Sequence, residues 1–180
     1  MAHYKRLSLA FTFCSALVAF AQANGEQQSP PTSDSMDNER LENLLRRFDP
    51  DLKGETGQWL VTVNEFTAQI ITDENANRMR IIIPLLQTEE LTQTELYRLL
   101  QANFESALDA RYAIAQGLVW STFIHPLSSL TEEELISAMA QTFNAAETYG
   151  TTYSSGLFHF RGGDNRGEIF DEIIERGTPL

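Results

Sequence analysis

The chain has 180 residues, 13 Lys and Arg against 25 Asp and Glu, a formal net charge of −12 and one cysteine. That length accommodates one ordinary domain with short additions, and the acidity repels phosphate backbones and anionic lipid, which excludes nucleic acid as an expected partner. A lone thiol, Cys14, allows no internal disulfide and no thiolate metal cluster.

Lys5 and Arg6 precede an apolar run, Leu7 to Phe20, of 14 residues, too short to span a bilayer comfortably. Ala21-Gln22-Ala23 then puts small residues where a signal peptidase reads them. Residues 1–23 are expected to be a secretory signal cleaved after Ala23, with a periplasmic or secreted product and no stable membrane insertion afterwards. Phe11-Thr12-Phe13 ahead of Cys14 is a poor lipobox. Cleavage leaves 157 residues (180 minus 23), removes the cysteine and takes the net charge to −14 with the loss of Lys5 and Arg6. Residues 24–37 are polar, contain Pro30 and Pro31 and lack periodicity, the composition of a disordered leader.

Leu41, Leu44, Leu45 and Phe48 recur at helical spacing, with Asp37 or Asn38 as cap and Asp49-Pro50 as stop. Residues 51–58 read as a polar loop. Three strands follow, from Trp59 to Val63, Phe66 to Thr72 and Arg78 to Pro84, joined by turn-like Asn64-Glu65 and Asp73 to Asn77 as an antiparallel meander. After a loop from Leu85 to Leu91, Thr92 with Glu95 has capping-box spacing, with Thr94 as a rival cap. The helix it opens carries Leu96, Leu99, Leu100 and Phe104. Arg111 to Ile124 alternates and turns at Gln116-Gly117, a hairpin. Thr131 with Glu134 opens another helix, carrying Leu135, Met139 and Phe143 and ending at Gly150. Residues 161–167 read as a flexible joint before a short apolar stripe, Ile169, Phe170, Ile173 and Ile174. The expected fold is α+β: a mainly antiparallel five-stranded sheet with helices packed on it, in the order α-β-β-β-α-β-β-α, spanning residues 38–160, plus a C-terminal joint and helix at 161–180.

The block from Leu99-Leu100-Gln101-Ala102-Asn103-Phe104, through Ala110 to Ile114 and Gly117-Leu118-Val119-Trp120, to Pro126-Leu127 and Thr131 to Leu135, resembles the YbjN family, which shares the fold of the type III secretion chaperones. That resemblance covers roughly Leu41 to Gly150. It implies a small acidic protein without catalytic residues that holds segments of other proteins and pairs as a homodimer. The secretory signal departs from both branches of the fold.

No catalytic constellation stands out. His125 and His159 each lack a second histidine within a helical turn, so no metal ligand set is expected. Asp73 to Asn77 begins like a calcium loop but has Arg78 at the sixth position and Pro84 at the twelfth. Glu132, Glu133 and Glu134 suit the positive end of a helix dipole. Tyr153-Ser154-Ser155-Gly156 lacks the Gly-x-Ser-x-Gly context of a nucleophile, and Arg161 to Gly167 lacks the lysine and spacing of a phosphate loop. No cofactor is expected.

The strands are apolar on both faces: Leu60, Ile71 and Ile82 run out of phase with Val61, Ile70 and Ile81. The second face is closed either by the short helices around Leu41 and Ile169 or by another molecule, a client protein or a second copy. The leading expectation is an exported, non-enzymatic protein-binding module with Trp59, Trp120 and Phe123 as aromatic anchors. The alternatives are a structural envelope protein, or a small hydrolase or ligand-binding protein whose pocket gathers His125, Tyr153 and His159.

Overall fold

Three reciprocal or single side-chain caps start the helices where the sequence places them. In the computed structural model, which describes residues 35–156 and 167–179, Asp37 Oδ1 accepts from Arg40 N at 2.8 Å and opens α1 (Asn38–Phe48). Thr92, not Thr94, caps α2 (Gln93–Glu105): Glu95 N donates to Thr92 Oγ1 at 3.2 Å while Thr92 N donates to Glu95 Oε2 at 2.7 Å. Thr131 and Glu134 repeat the exchange ahead of α3 (Glu132–Glu147). Each box satisfies two backbone donors at a helix start. Hydrogen bonds from Thr92 and Thr131 hold the Glu95 and Glu134 carboxyls below the ordinary range. The last helix is α4 (Glu168–Gly177).

The fold is α+β, and its sheet has six strands rather than five, all antiparallel, in the order β1-β2-β3-β4-β6-β5. The additional strand, β1 (Lys53–Glu55), lies in the stretch read as polar loop. It pairs with β2 (Gln58–Val63) across the Thr56-Gly57 turn, and a glycine within β1 allows the two strands to approach. Gly54 has φ +123°, and a Cβ there would stand 2.2 Å from Gln58 O and 2.8 Å from Trp59 Cα. Gly54→Ala is therefore expected to cost about 1–3 kcal/mol and detach β1, seen as a lower urea midpoint with early amide exchange at Lys53 and Glu55.

β3 (Phe66–Asp73) and β4 (Arg78–Gln87) complete the meander, and β5 (Arg111–Ala115) and β6 (Leu118–His125) form the hairpin. β4 continues beyond Pro84 because a bulge between Pro84 and Leu86 rephases it. Pro84 faces Trp120 outward, whereas Leu86 faces Val119 inward. Asp73 to Asn77 forms a turn, with Ala76 N donating to Asp73 Oδ1 at 2.9 Å and Asn77 at φ 50°. Gln116 and Gly117, at φ 54° and 75°, turn the hairpin.

One apolar core lies between the sheet and the helices. Trp59, Val61, Ile70, Ile81 and Ile83 from the strands meet Leu41, Leu45 and Phe48 of α1, Leu135, Met139 and Phe143 of α3, and Ile169, Phe170 and Ile173 of α4. α3 is the central element: every residue from Ala138 to Ala146 is buried, because sheet strands lie on one side of it and α4 on the other. Its polar members are paired. Gln141 Oε1 accepts from Asp109 N at 3.0 Å, Thr142 Oγ1 donates to Ala138 O at 2.7 Å, and Thr142 O accepts from Ser121 Oγ at 2.8 Å.

The domain also begins earlier than expected. Ser35, Met36 and Asp37, read as the end of the leader, belong to it: Met36 is 2% exposed in the core and its N–H donates to Ser128 O at 3.3 Å. The expected signal segment, the expected leader up to Asp34, the Leu157 to Phe160 patch and the expected joint up to Arg166 lie outside the described residues.

Candidate protein-binding surfaces

The core shows which sheet face is closed. α1 and α4 share one cluster with Val61, Ile70 and Ile81, so they cover the same side as α3 and leave the other side open. Strand register defines that outer face. One row runs Lys53, Leu60, Gln69, Ile82, Thr122, Arg111 across all six strands; beside it run Gln58, Ile71, Arg80 and Ile124. Leu60 is 36% and Ile124 57% exposed. Of the two ways of closing the second face, the short helices are thereby excluded, and among the described residues no other element does so.

The second surface is on α2. Leu96, Leu100 and Phe104 recur every four residues and fall on one side of the helix, with Tyr97 beside them. They point outward: Leu96 is 36%, Tyr97 61%, Leu100 58% and Phe104 82% exposed. Only Leu99 and Ala102 of this helix are buried. They meet Tyr112, Val119, Ala145 and Tyr153 in a second, smaller core.

That smaller core fixes which way α2 faces. The rings of Tyr112, Tyr149 and Tyr153 meet edge to face, with centroids 5.5–6.3 Å apart. Tyr112 Oη donates to Ala145 O at 2.7 Å, and burial pushes its hydroxyl pKa up. Arg98 lies 5.6 Å over the Tyr153 ring. Asn103 then ties α2 to the free edge of β5: its Nδ2 donates to Tyr112 O at 2.9 Å and its Oδ1 accepts from Tyr112 N at 2.8 Å. Arg111 donates to the Asn103 and Ala107 carbonyls at the end of α2. The edge of β5 is thus partly closed by a side chain that mimics a neighbouring strand. Ile114, 51% exposed, extends the apolar area on this strand.

The three expected anchors are separated. Trp59, 2% exposed, and Phe123, 7%, are in the core, so neither ring is presented to a partner. Trp59 Nε1 reaches Glu42 Oε2 at 3.3 Å. Alternation on β6 put Trp120 and Phe123 on opposite faces, and only Trp120 lies on the outer one, its Nε1 donating to Ala115 O at 2.9 Å.

His125 and Tyr153 are not brought together. His125 stacks on Phe123 at 5.8 Å, and its Nδ1 donates to Pro126 O at 2.8 Å. Tyr153 is buried with Val119, at the other end of β6, six residues or about 20 Å of extended chain away. His159 lies outside the described residues. Among the described residues no group of three or more His, Cys, Asp or Glu side chains is placed to hold a metal, and no helix is long and apolar enough to cross a membrane. A surface cleft lined by Asp37, Arg40, Arg47 and Glu132 is crossed by the Arg47–Glu132 ion pair and contains neither His125 nor Tyr153.

No protein-family model and no curated protein matches the chain. It is similar to a chain of a solved structure described as the HopA1-SchA chaperone-effector complex, with 17% identity and a TM-score of 0.47, covering 61% of this chain and 91% of that one. The YbjN resemblance accordingly rests on the sequence block quoted above.

Proposed function

We propose that this protein is an exported, non-enzymatic, chaperone-like binding module that pairs with a second copy through α2. The observation that carries this reading is the exposed stripe of Leu96, Tyr97, Leu100 and Phe104 on a chain of net charge −12. Four large apolar side chains on one helical face, with no charged residue between them, form the kind of patch that marks a protein interface.

The stripe is self-complementary. In an antiparallel pair of α2 helices related by a twofold at Leu100, Leu96 of each meets Phe104 of the other, and Leu100 meets itself, while Glu95 and Glu105 lie away from the contact. Strand-to-strand pairing through β5 is opposed by the Asn103 clamp on Tyr112. A helix contact is therefore the cheaper route. Export is supported by the Lys5-Arg6, Leu7 to Phe20 and Ala21-Gln22-Ala23 pattern. The hydrolase alternative draws no support from His125 and Tyr153, which serve a strand end and an aromatic cluster.

Sedimentation of the processed protein over a concentration series tests the pairing. A dimer is expected. Leu100→Asp puts two carboxylates at the twofold and is expected to weaken self-association by roughly a hundredfold while leaving the monomer's thermal midpoint unchanged. A monomer at every concentration, or an unaltered dimer in Leu100→Asp, overturns it.

A further inference from the structure

We infer that the outer face of the sheet docks an acidic amphipathic helix of a partner protein. This deepens the protein-binding reading but uses a different face from α2. The first ground is charge. The four helices carry 12 Asp and Glu and 5 Arg, a net of −7. The outward positions of the sheet carry three cations not drawn to a helix, Lys53, Arg78 and Arg80, against two carboxylates, Glu55 and Asp73; a fourth, Arg111, turns to the carbonyls at the end of α2. Charge is thus segregated by layer, with the positive side on the face that lacks helices. At physiological ionic strength fields decay over about 8 Å, so an incoming group at this face responds mainly to the cations there.

The second ground is the company those cations keep. Arg80 is exposed, with Ile71 opposite it on β3 and Ile124 opposite it on β6. Among the described residues Arg78 and Arg80 make no ion pair, although Asp73 stands across from Arg78 in the register. They are two residues apart on one side of β4, about 7 Å. Carboxylates one helical turn apart are spaced about 6 Å and match them, and aliphatic side chains flanking those carboxylates fall on Ile71 and Ile124. A sheet with aliphatic rows on both faces is completed by helices on both. A second copy fits poorly here: face to face it sets Arg80 against Arg80, and helix layer to sheet it generates an open chain of subunits.

The probe is a fluorescein-labelled leucine-rich helical peptide with two Glu one turn apart, compared by anisotropy with the same peptide carrying Gln. The Glu peptide is expected to bind the processed full-length protein more tightly than the Gln peptide. Arg78→Gln with Arg80→Gln should weaken it about tenfold, and added salt should bring the natural protein down to that level. Leu100→Asp should leave this binding unchanged, which separates the failure of this face from failure of α2 pairing. Absence of binding, equal binding of the two peptides, or an unaltered affinity in the double variant overturns the inference. So does a change in sedimentation of the peptide-free double variant, which would assign the face to a second copy. If the double variant does not fold, the comparison of Glu and Gln peptides on the natural protein decides.

Discussion

Trp59→Ala lowers the unfolding free energy by about 3–5 kcal/mol, while Trp120→Ala costs no more than about 1 kcal/mol. The two tryptophans look alike in the sequence, each in an alternating strand. Trp59 is 2% exposed and lies in the main core with the α1 and α3 side chains, so truncation opens a cavity that the surrounding aliphatic groups fill only partly. It also removes the indole N–H from Glu42 Oε2, while Glu42 Oε1 keeps its ion pair with Arg46. Trp120 stands on the outer face between Pro84 and Ala113, and its truncation removes one exposed hydrogen bond. Urea unfolding of the two single variants measures the difference directly. Equal costs would mean that the sheet is turned the other way round.

Asn144→Ala costs about 2–3 kcal/mol and loosens α4 before the rest of the domain. Asn144 is fully buried on α3, yet it reaches two distant points of the chain. Its Nδ2 donates to Ser154 O at 2.8 Å, and its Oδ1 accepts from Gly167 N at 2.6 Å. Ser154 O keeps Thr148 Oγ1 as a second donor at 2.9 Å, so the loop end survives the substitution. Gly167 N, at the N-cap of α4, loses its side-chain acceptor. Space here is tight: a Cβ on Gly156 would lie 2.5 Å from the Phe170 ring. Hydrogen exchange should therefore show faster opening of Ile169 to Ile173 than of Leu41 to Phe48. Uniform acceleration across both helices would mean that Asn144 stabilises the core as a whole rather than the seat of α4.

The element order was legible because its signals are local. Thr92 with Glu95 and Thr131 with Glu134 sit three residues apart, and the hydrogen bonds that start the helices form within that distance. Gln116-Gly117 likewise turns its hairpin through its own backbone angles. β1 escaped notice because three residues show no alternation and its pairing depends on Gly54 meeting Trp59. The continuation of β4 was hidden by Pro84, which is tolerated because β3 pairs with β4 only as far as Ile82. Of the expected binding residues, Trp120 reaches an open face. Leu96, Leu100 and Phe104 were visible as a stripe, but periodicity marks a face without saying what covers it.

The amino-acid sequence by itself therefore determined the α+β class, the helix starts, the hairpin and the presence of aliphatic residues on both sides of the strands, since spacing of two or four residues is written along the chain. Only the tertiary structure decided that all three core-packing helices α1, α3 and α4 share one face, and that α2 turns Leu99 and Ala102 inward and Phe104 outward. The reason is that orientation is set by partners far away in the chain, such as Ala145 for the Tyr112 hydroxyl and Tyr112 for Asn103, and no local pattern records them.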